Sequence, residues 1–256
     1  MKGERIDKLL VERGLAESRT RAQALVMAGL VLVDERRVEK PSEMTAPDAQ
    51  LRVRGTDDPA FRFVGRGALK LEHALDAWNI DVNDATCLDI GASTGGFTDC
   101  LLQRGARRVV AVDVGRNQLA YKLRVDERVE VREETNARHL ITGDFADYAD
   151  GFALIVMDVS FISATKIFPA LMPLMKTDAS LITLIKPQFE VGRGEVGKGG
   201  IVTDVKQHER VIAEVNQAAT DLGLEVRAVI DSPVTGAEGN KEFLAWYGKQ
   251  EYGKRV

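Results

Sequence analysis

Apolar positions in the first fifty or so residues predict short helices followed by short strands. Apolar residues at helical spacing predict one helix that ends at Gly14 and a second helix that Ser18 caps. The apolar run at 30–33 and the alternating segment Leu-Arg-Val-Arg at 51–54 predict two short strands. Turn-forming residues without periodicity follow at 55–60, and we predict the linker there. The chain therefore begins with a small α+β unit.

Strands and helices alternate in the remainder of the chain. Strands are predicted at 86–90, 108–113, 152–158, 180–186, 224–230 and 242–247, and helices at 67–79, 95–104 and 205–222. The runs 152–158 and 180–186 are continuously apolar, which is typical of strands buried on both faces. This alternation predicts a parallel, doubly wound α/β sheet. We expect an N-terminal domain over 1–59 and a Rossmann-like domain over 60–256.

Composition narrows the class of protein further. The 256 residues are 45% hydrophobic and 29% charged, so the chain can bury a core. A net charge of -4 excludes a protein that coats nucleic acid by bulk charge, although a local basic face remains compatible with it. The charged N-terminus lacks the apolar run of a signal peptide, and no stretch approaches the ~20 apolar residues of a membrane span. We therefore expect a cytoplasmic protein without a membrane role.

Two cysteines cannot form a disulfide framework or a four-thiolate zinc site. Cys87 and Cys100 both lie in apolar context and are expected to be buried, reduced thiols. His73 and His139 have no partners at the spacing of metal ligands. We therefore expect no metal site.

A glycine-rich turn at 89–99 joins the first core strand to a helix, where this fold binds its ligands. Asp113 ends the next strand, in place to accept hydrogen bonds from a ribose. Ser93 breaks the G-x-G-x-x-G pattern of dinucleotide sites. Asp89, in contrast, suits the cationic amino-acid end of S-adenosylmethionine. We therefore favour S-adenosylmethionine as the cofactor over a dinucleotide, and over a turn that binds no ligand. The candidate cofactor contacts are Asp89, Gly91, Ala92, Ser93, Gly95, Gly96, Phe97 and Asp113.

The same turn contains a rival motif. Residues 91–95 match G-x-S-x-G, the nucleophile elbow of α/β-hydrolases, and Asp158 and His208 follow in the expected order. The turn follows the first core strand rather than a later one, and no HGGG-type segment precedes it. His208 is also predicted on a helix in wholly polar surroundings. A hydrolase is therefore disfavoured.

Two buried strands end in charged residues, Asp158 and Lys186. If these strands are neighbours, their backbones lie about 4.8 Å apart and the two side chains can pair. A lysine beside an acid in a partly dry cleft can act as a base or stabilise an oxyanion, which methyl transfer to a hydroxyl requires. Ordinary charged strand ends are the alternative.

Several long motifs in order carry a family resemblance. They are residues 5–19, 62–71, 89–98, 134–138, 158–161 and 186–190. Over essentially its whole length the chain resembles the TlyA-type proteins, in which an S4 RNA-binding domain is fused to an FtsJ-like methyltransferase and which are often named haemolysins. The resemblance implies a catalytic tetrad of Lys70, Asp158, Lys186 and Glu242. Lys186 would act on the target hydroxyl, Asp158 and Glu242 would orient it, and Lys70 would lie beside the target ribose or phosphate.

On pattern alone Lys70 is a solvated helix residue and Glu242 a strand-edge acid. The resemblance also implies that Asn136 contacts the cofactor and that the substrate is ribosomal RNA, methylated at cytidine 2′-hydroxyls. Arginines and lysines cluster around the first helices and the linker, and the candidate RNA contacts are Arg5, Lys8, Arg13, Arg19, Arg21, Arg62 and Arg66. We also expect the glycine-rich segment 191–200 to order over RNA, with a plain flexible connector as the alternative. A non-catalytic RNA-binding protein and a membrane-active haemolysin remain the alternatives.

Overall fold

The computed structural model describes residues 3–27, 29–53, 62–192, 194–236 and 239–249. Its backbone contacts divide the chain into two compact units, residues 1–62 and 63–256. The predicted linker at 55–60, and with it the predicted boundary at residue 59, lies outside the described residues.

The first unit packs two helices on short strands. Its elements are β1 (Glu4–Arg5), α1 (Ile6–Glu12), α2 (Arg19–Met27), β2 (Val31–Val33), β3 (Arg36–Arg37), β4 (Met44–Thr45) and β5 (Leu51–Val53). As predicted, Gly14 adopts a left-handed conformation (φ 70°) after α1, and the Ser18 hydroxyl accepts the N–H of Arg21 at the start of α2. Ile6, Leu10 and Val31 are fully buried between helices and strands and form the core of this unit.

The second unit is built on one seven-stranded sheet. Its strands are β6 (Thr86–Ile90), β7 (Arg108–Val112), β8 (Val129–Arg132), β9 (Phe152–Met157), β10 (Met175–Ile185), β11 (Leu224–Asp231) and β12 (Phe243–Lys249). Its α-helices are α3 (Ala68–Ala77), α4 (Gly96–Gln103), α5 (Tyr121–Arg124), α6 (Phe168–Leu171), α7 (Pro187–Glu190) and α8 (Val205–Asp221). Short 3₁₀ turns cover Ala137–His139, Thr142–Tyr148, Ala164–Lys166, Met172–Leu174 and Lys198–Gly200.

The sheet is mixed rather than wholly parallel. Its strand order is β11-β12-β10-β9-β6-β7-β8, and the five strands from β10 to β8 are parallel. Strand β12 is antiparallel to both of its neighbours. The expectation of an all-parallel sheet is therefore wrong for β12, because an apolar run predicts burial and not direction. No helix was predicted between β11 and β12, and a connection without a crossover helix joins antiparallel strands.

Helices cover both faces of this sheet, as a doubly wound fold requires. Helices α6 and α8 contribute Phe168 and Val211 to one core cluster, and helices α3 and α4 contribute Leu71 and Leu101 to the other. Each of these side chains is fully buried, and burying such a side chain contributes about 1.5–3 kcal/mol. Cys87 and Cys100 are buried free thiols, as expected. In the described parts of the chain, no helix is long and apolar enough to cross a membrane.

Candidate functional site

Four charged side chains meet at one edge of the sheet, and we call them the charged tetrad: Lys70, Asp158, Lys186 and Glu242. Lys70 lies in the first turn of α3, and Asp158 and Lys186 directly follow β9 and β10. Glu242 directly precedes β12. Because β12 runs antiparallel to β10, its first residues lie at the same edge as the carboxyl ends of β9 and β10.

The tetrad forms a continuous chain of ion pairs. Lys186 Nζ lies 2.5 Å from Asp158 Oδ1 and donates to the Ser160 hydroxyl at 3.1 Å. Lys70 Nζ donates to Glu242 Oε2 at 2.6 Å and lies 3.6 Å from Asp158 Oδ2. The predicted pairing of Asp158 with Lys186 is thus confirmed. The carboxylate of Asp158 lies between the two ammonium groups.

Burial makes this arrangement energetically demanding. The side chains of Lys70, Lys186 and Glu242 are only 9%, 10% and 2% exposed. Charges withdrawn from water are tolerated when they are paired, and here two ammonium groups face two carboxylates. The interpretation of Lys70 as a solvated residue, made from pattern alone, is wrong. Its partner is 172 positions away along the chain, so no local pattern indicates the pairing.

Glu242 contacts Lys70, whereas the resemblance suggested that it orients Lys186. The N–H of Ser232 donates to its carbonyl oxygen at 2.9 Å and fixes the backbone. A β-carbon on Gly236 would overlap the Glu242 carboxylate, so the loop before β12 can pack on this side chain only because residue 236 is glycine. The backbone of Glu242 is therefore fixed by Ser232, and its carboxylate is packed against Gly236.

A cavity of about 490 Å³ opens beside the tetrad at the carboxyl ends of β6, β7 and β9. Its size falls in the usual range for small-molecule sites. Asp158 and Ser160 line it, so the cavity and the tetrad share residues. Of the nine predicted cofactor contacts, four line the cavity: Gly91, Ser93, Asp113 and Asn136.

The other predicted contacts lie in the turn or beneath it. Ala92, Gly96 and Phe97 are buried in the protein interior. Gly91 (φ 80°) and Gly95 (φ 94°) adopt left-handed conformations, as glycine does at low cost. A β-carbon on Gly91 would lie 2.5 Å from the carbonyl oxygen of Asp158, and one on Gly95 would overlap a leucine side chain. Packing within the protein therefore requires these two glycines, whether or not a ligand binds.

Two acids flank the glycine-rich turn. Asp89 is fully buried, and its Oδ2 accepts the hydroxyl of Thr98 at 2.7 Å, while its Oδ1 has no hydrogen-bond partner among the described residues. Burial raises the pKa of Asp89 to about 7. Asp113 accepts the N–H groups of Ser93 at 2.8 Å and Gly115 at 2.6 Å, which hold its carboxylate at the cavity wall.

Sequence reasoning missed several residues that line the cavity. Val114 and Gln118 come from the loop after β7, and Thr135 precedes Asn136 after β8. The only available signal was position, because segments that follow parallel strands meet at the ligand-binding edge. β8 itself was not predicted, since its residues alternate with charges at the edge of the sheet and are only partly buried.

Most of the candidate RNA contacts in the first unit already bind protein groups. Arg5 forms two hydrogen bonds with the buried carboxylate of Asp7, at 3.0 and 2.9 Å, and Arg19 donates to the same carboxylate at 3.2 Å. The hydrogen bonds from Arg5 above all, and then from Gln23 and Arg19, hold the pKa of Asp7 well below its usual value, although burial alone would raise it. The side chains of Arg5 and Arg19 remain 42% and 58% exposed, so both still reach solvent.

The remaining basic candidates differ in their surroundings. Lys8 pairs with Glu4 at 2.6 Å and with Glu12 at 3.1 Å on the helix surface. Arg13 donates to the carbonyl oxygens of residues 47 and 49 and so fixes that segment. Arg21, Arg62 and Arg66 are exposed. Their contact with RNA stays a prediction.

The histidine at position 208 is not in polar surroundings, contrary to expectation. It is buried, its Nε2 lies 2.9 Å from the carbonyl oxygen of Val202, and its ring packs edge-on against Phe243. The helix places its polar face outward, and position 208 falls on the inner face. Among the described residues, no cluster of histidine, cysteine or acidic side chains could hold a metal ion.

The glycine-rich segment 191–200 is tied to the loop that carries Glu242. Asn240 donates its Nδ2 to the carbonyl oxygen of Gly200 at 2.9 Å and accepts the N–H of Val202 at 3.0 Å. Residue 193 lies outside the described residues. The expectation that this segment orders over RNA stays a prediction.

Comparison with known proteins agrees with this geometry. The profile of the FtsJ-like methyltransferases matches residues 63–249, and that of the S4 domain matches residues 4–50. A Bacillus subtilis protein provisionally named rRNA methyltransferase YqxC is 47% identical over 258 residues, covering 100% of this chain and 90% of that protein. The 16S/23S rRNA (cytidine-2′-O)-methyltransferase TlyA of Mycobacterium tuberculosis is 45% identical over 246 residues, covering 96% and 90%.

A solved structure from Streptococcus thermophilus, provisionally named a hemolysin, superposes with a TM-score of 0.75 at 43% identity and covers 98% of this chain and 90% of that one. The two sequence profiles account for both structural units, and the longer match spans the whole sheet with its charged tetrad. The chain therefore belongs to the FtsJ-like methyltransferase family and carries an S4 domain in its first unit.

Proposed function

We propose that this protein is an S-adenosylmethionine-dependent RNA methyltransferase that acts on a ribose 2′-hydroxyl, of cytidine in ribosomal RNA. The observation that carries the proposal is the shared wall of the cavity and the tetrad, formed by Asp158 and Ser160. A ligand in the cavity would place its reactive group within reach of the tetrad. The substrate is inferred from the named activity of the TlyA relative, and with ribosomal RNA as substrate we further propose a cytoplasmic location.

The residues around the cavity fit S-adenosylmethionine. Asp89 does not itself line the cavity, but it lies buried beneath the glycine-rich turn with one oxygen that lacks a hydrogen-bond donor among the described residues. The ammonium group of a bound cofactor would supply that donor if the turn opened to admit it. The carboxylate of Asp113 would accept hydrogen bonds from ribose hydroxyls. Val112, Val114 and Ile162 give the cavity apolar walls on which an adenine ring can pack. The cofactor would contribute a methyl group on a positively charged sulfur.

Lys186 would stabilise the attacking oxygen. An ammonium group has three N–H donors, and Lys186 donates one of them to Ser160 while it forms an ion pair with Asp158. A remaining N–H would bind the ribose oxygen and stabilise the negative charge that it gains as the hydroxyl proton passes to water at the open side of the cavity. A preorganised donor in a site with little water stabilises such charge strongly. Asp158 would fix the position of the lysine and compensate its charge.

Lys70 and Glu242 would act as the second half of the site. Lys70 shares the Asp158 carboxylate with Lys186 and is held by Glu242 at 2.6 Å. The two ammonium groups are balanced by two carboxylates, so Lys70 would contact the ribose or phosphate beside the target hydroxyl through its own N–H donors and not through a net positive charge. Glu242 would act through Lys70, because its carboxylate contacts that lysine.

Transfer of a tritiated methyl group from S-adenosylmethionine to purified ribosomal subunits tests the proposal. We expect incorporation by the wild-type chain and mass mapping of the product to a 2′-O-methylated cytidine. Lys186→Met should abolish transfer while binding the cofactor normally, because the variant keeps the length of the side chain and loses the charge. Lys176→Ala is the matched control, since Lys176 lies on the same strand far from the tetrad in sequence and should retain activity.

Two other outcomes identify the alternatives. RNA binding with no methyl transfer by the wild-type chain indicates a non-catalytic RNA-binding protein. Release of dye from lipid vesicles, with neither cofactor binding nor transfer, indicates a membrane-active protein. Retained transfer by Lys186→Met removes the central role assigned to that lysine.

A further inference from the structure

One carboxylate outside the tetrad organises the loop that forms a wall of the cavity. Glu133 directly follows β8, and its side chain is 13% exposed. Its Oε2 accepts the N–H of Asn117 at 2.8 Å, and its Oε1 accepts the N–H groups of Gln118 at 2.9 Å and Leu119 at 3.2 Å. Three consecutive backbone donors thus converge on a single side chain.

The same carboxylate also binds the helix that follows the loop. Arg124, the last residue of α5, donates to Glu133 Oε1 at 2.6 Å. Burial on its own would raise the pKa of Glu133, but the three backbone N–H groups and Arg124 lower it to about 2. The group is therefore ionised at neutral pH and holds the loop through charge-assisted hydrogen bonds.

The loop held in this way carries groups that face the cavity. Val114 and Gln118 line the cavity. A β-carbon on Gly115 would overlap the side-chain amide of Gln118, so this amide lies folded over Gly115. The N–H of Gly115 in turn donates to Asp113 at 2.6 Å. Gln118 and the proposed ribose acceptor are therefore neighbours.

The far end of the loop is fixed to the glycine-rich turn. The N–H of Ala120 donates to the carbonyl oxygen of Thr94 at 3.1 Å, and Leu119 packs where a β-carbon on Gly95 would lie, 2.8 Å away. Within the loop, the N–H of Glu134 donates to the carbonyl oxygen of Gly115 at 2.9 Å. The backbone N–H groups of residues 117–119 are held by the carboxylate of Glu133. Asn117 adopts a left-handed conformation (φ 53°), which needs such support.

We propose that Glu133 is a positioning residue for the cofactor, because it holds the loop Val114–Leu119 in the conformation that sets Gln118 and Val114 against the adenosine part of S-adenosylmethionine. The inference rests on the proposed function, since it concerns the ligand of the same cavity. Glu133 itself does not line the cavity and acts through the loop. A purely structural role would change stability without changing cofactor affinity.

Calorimetric titration of the full chain with S-adenosylmethionine separates these roles. Glu133→Gln removes the charge at nearly constant shape, and we expect the Kd to rise about tenfold to hundredfold, the range for losing one or two charge-assisted hydrogen bonds. At saturating cofactor, methyl transfer should return to the wild-type rate, so the effect lies in KM. Gln118→Ala should weaken binding and should add little when combined with Glu133→Gln.

Glu130→Gln is the matched control. Glu130 lies on the same strand and pairs with Arg132 and Tyr148 instead of the loop, so its variant should bind the cofactor like the wild type. A second measurement needs no variant: saturating S-adenosylmethionine should slow hydrogen exchange at the amides of residues 117–119. The inference is overturned if Glu133→Gln binds within twofold of the wild type, or if those amides exchange equally with and without cofactor. Failure of the wild-type chain to bind the cofactor would overturn the proposed function instead.

Discussion

The buried pair of Lys70 and Glu242 gives the most direct test of how the site is held together. In Glu242→Leu, the ammonium group of Lys70 loses its partner at 2.6 Å and keeps only Asp158 at 3.6 Å. Removing one partner of a buried pair costs about 3–5 kcal/mol, and the remaining carboxylate favours the lower end of this range. For a unit of this size, a loss of about 3 kcal/mol lowers Tm by roughly 6–12 °C.

The double variant Lys70→Met/Glu242→Leu separates the lost pair from lost packing. Apolar side chains of similar volume need no charge compensation, so the double variant should recover to within about 1 kcal/mol of the wild type. Thermal unfolding of the wild type, both single variants and the double variant gives the coupling energy. Asp231→Asn is the control, because the side chains of Lys241 and Asp231 are 50% and 65% exposed and such a pair contributes less than about 1 kcal/mol. Equal or greater loss in the double variant than in Glu242→Leu would refute the reasoning.

Three further predictions concern single residues. The raised pKa of Asp89 means that the ligand-free protein should lose up to about 4 kcal/mol of stability as pH rises from 4 to 7, and Asp89→Asn should abolish this slope in thermal unfolding. Gly91→Ala should cost about 2 kcal/mol or more in denaturant unfolding, whereas Gly67→Ala, which meets no neighbour, should be nearly neutral. Asp7→Asn should reduce hydrogen-exchange protection of residues 3–53 at pH 7. The difference in protection between variant and wild type should shrink below about pH 4, because the lowered pKa of Asp7 gives stability that is lost as pH falls.

Each of these outcomes has a clear contrary result. A flat stability profile between pH 4 and 7 would contradict the burial argument for Asp89. Equal costs for Gly91→Ala and Gly67→Ala would show that the left-handed turn tolerates a side chain. Undiminished protection in Asp7→Asn would show that its arginine partners are held by other contacts.

The sequence predicted the elements with strong apolar patterns and missed those without them. Strand Thr86–Ile90 and helix Val205–Asp221 agree with prediction to within one residue, because both are long or continuously apolar. Strand β10 begins at Met175 rather than at 180, because polar residues occupy 176–178. The direction of β12 could not be predicted, since direction depends on the connection and not on the apolar run.

Local position predicted one half of the site and only the resemblance supplied the other half. Asp158 and Lys186 follow apolar strands, so the rule that ligands bind at strand ends identified both. The sequence around Lys70 and around Glu242 contains no pattern that indicates a site, and the two residues meet only in the folded structure. Glu133 was missed for a similar reason: it stands among other charged residues, and its importance comes from the backbone donors of a distant loop.

The antiparallel placement of β12 also has a consequence for how the protein is made. Glu242 follows Lys70 by 172 positions, and it reaches the sheet edge only when the strand after it has paired with its neighbours. Until Glu242 has been translated, the ammonium group of Lys70 must therefore remain hydrated or pair with the carboxylate of Asp158 alone. A nascent chain that stops before β12 would carry two ammonium groups, those of Lys70 and Lys186, beside the single carboxylate of Asp158. Pairing of β12 with β10 and β11 would then complete the charge balance of the tetrad.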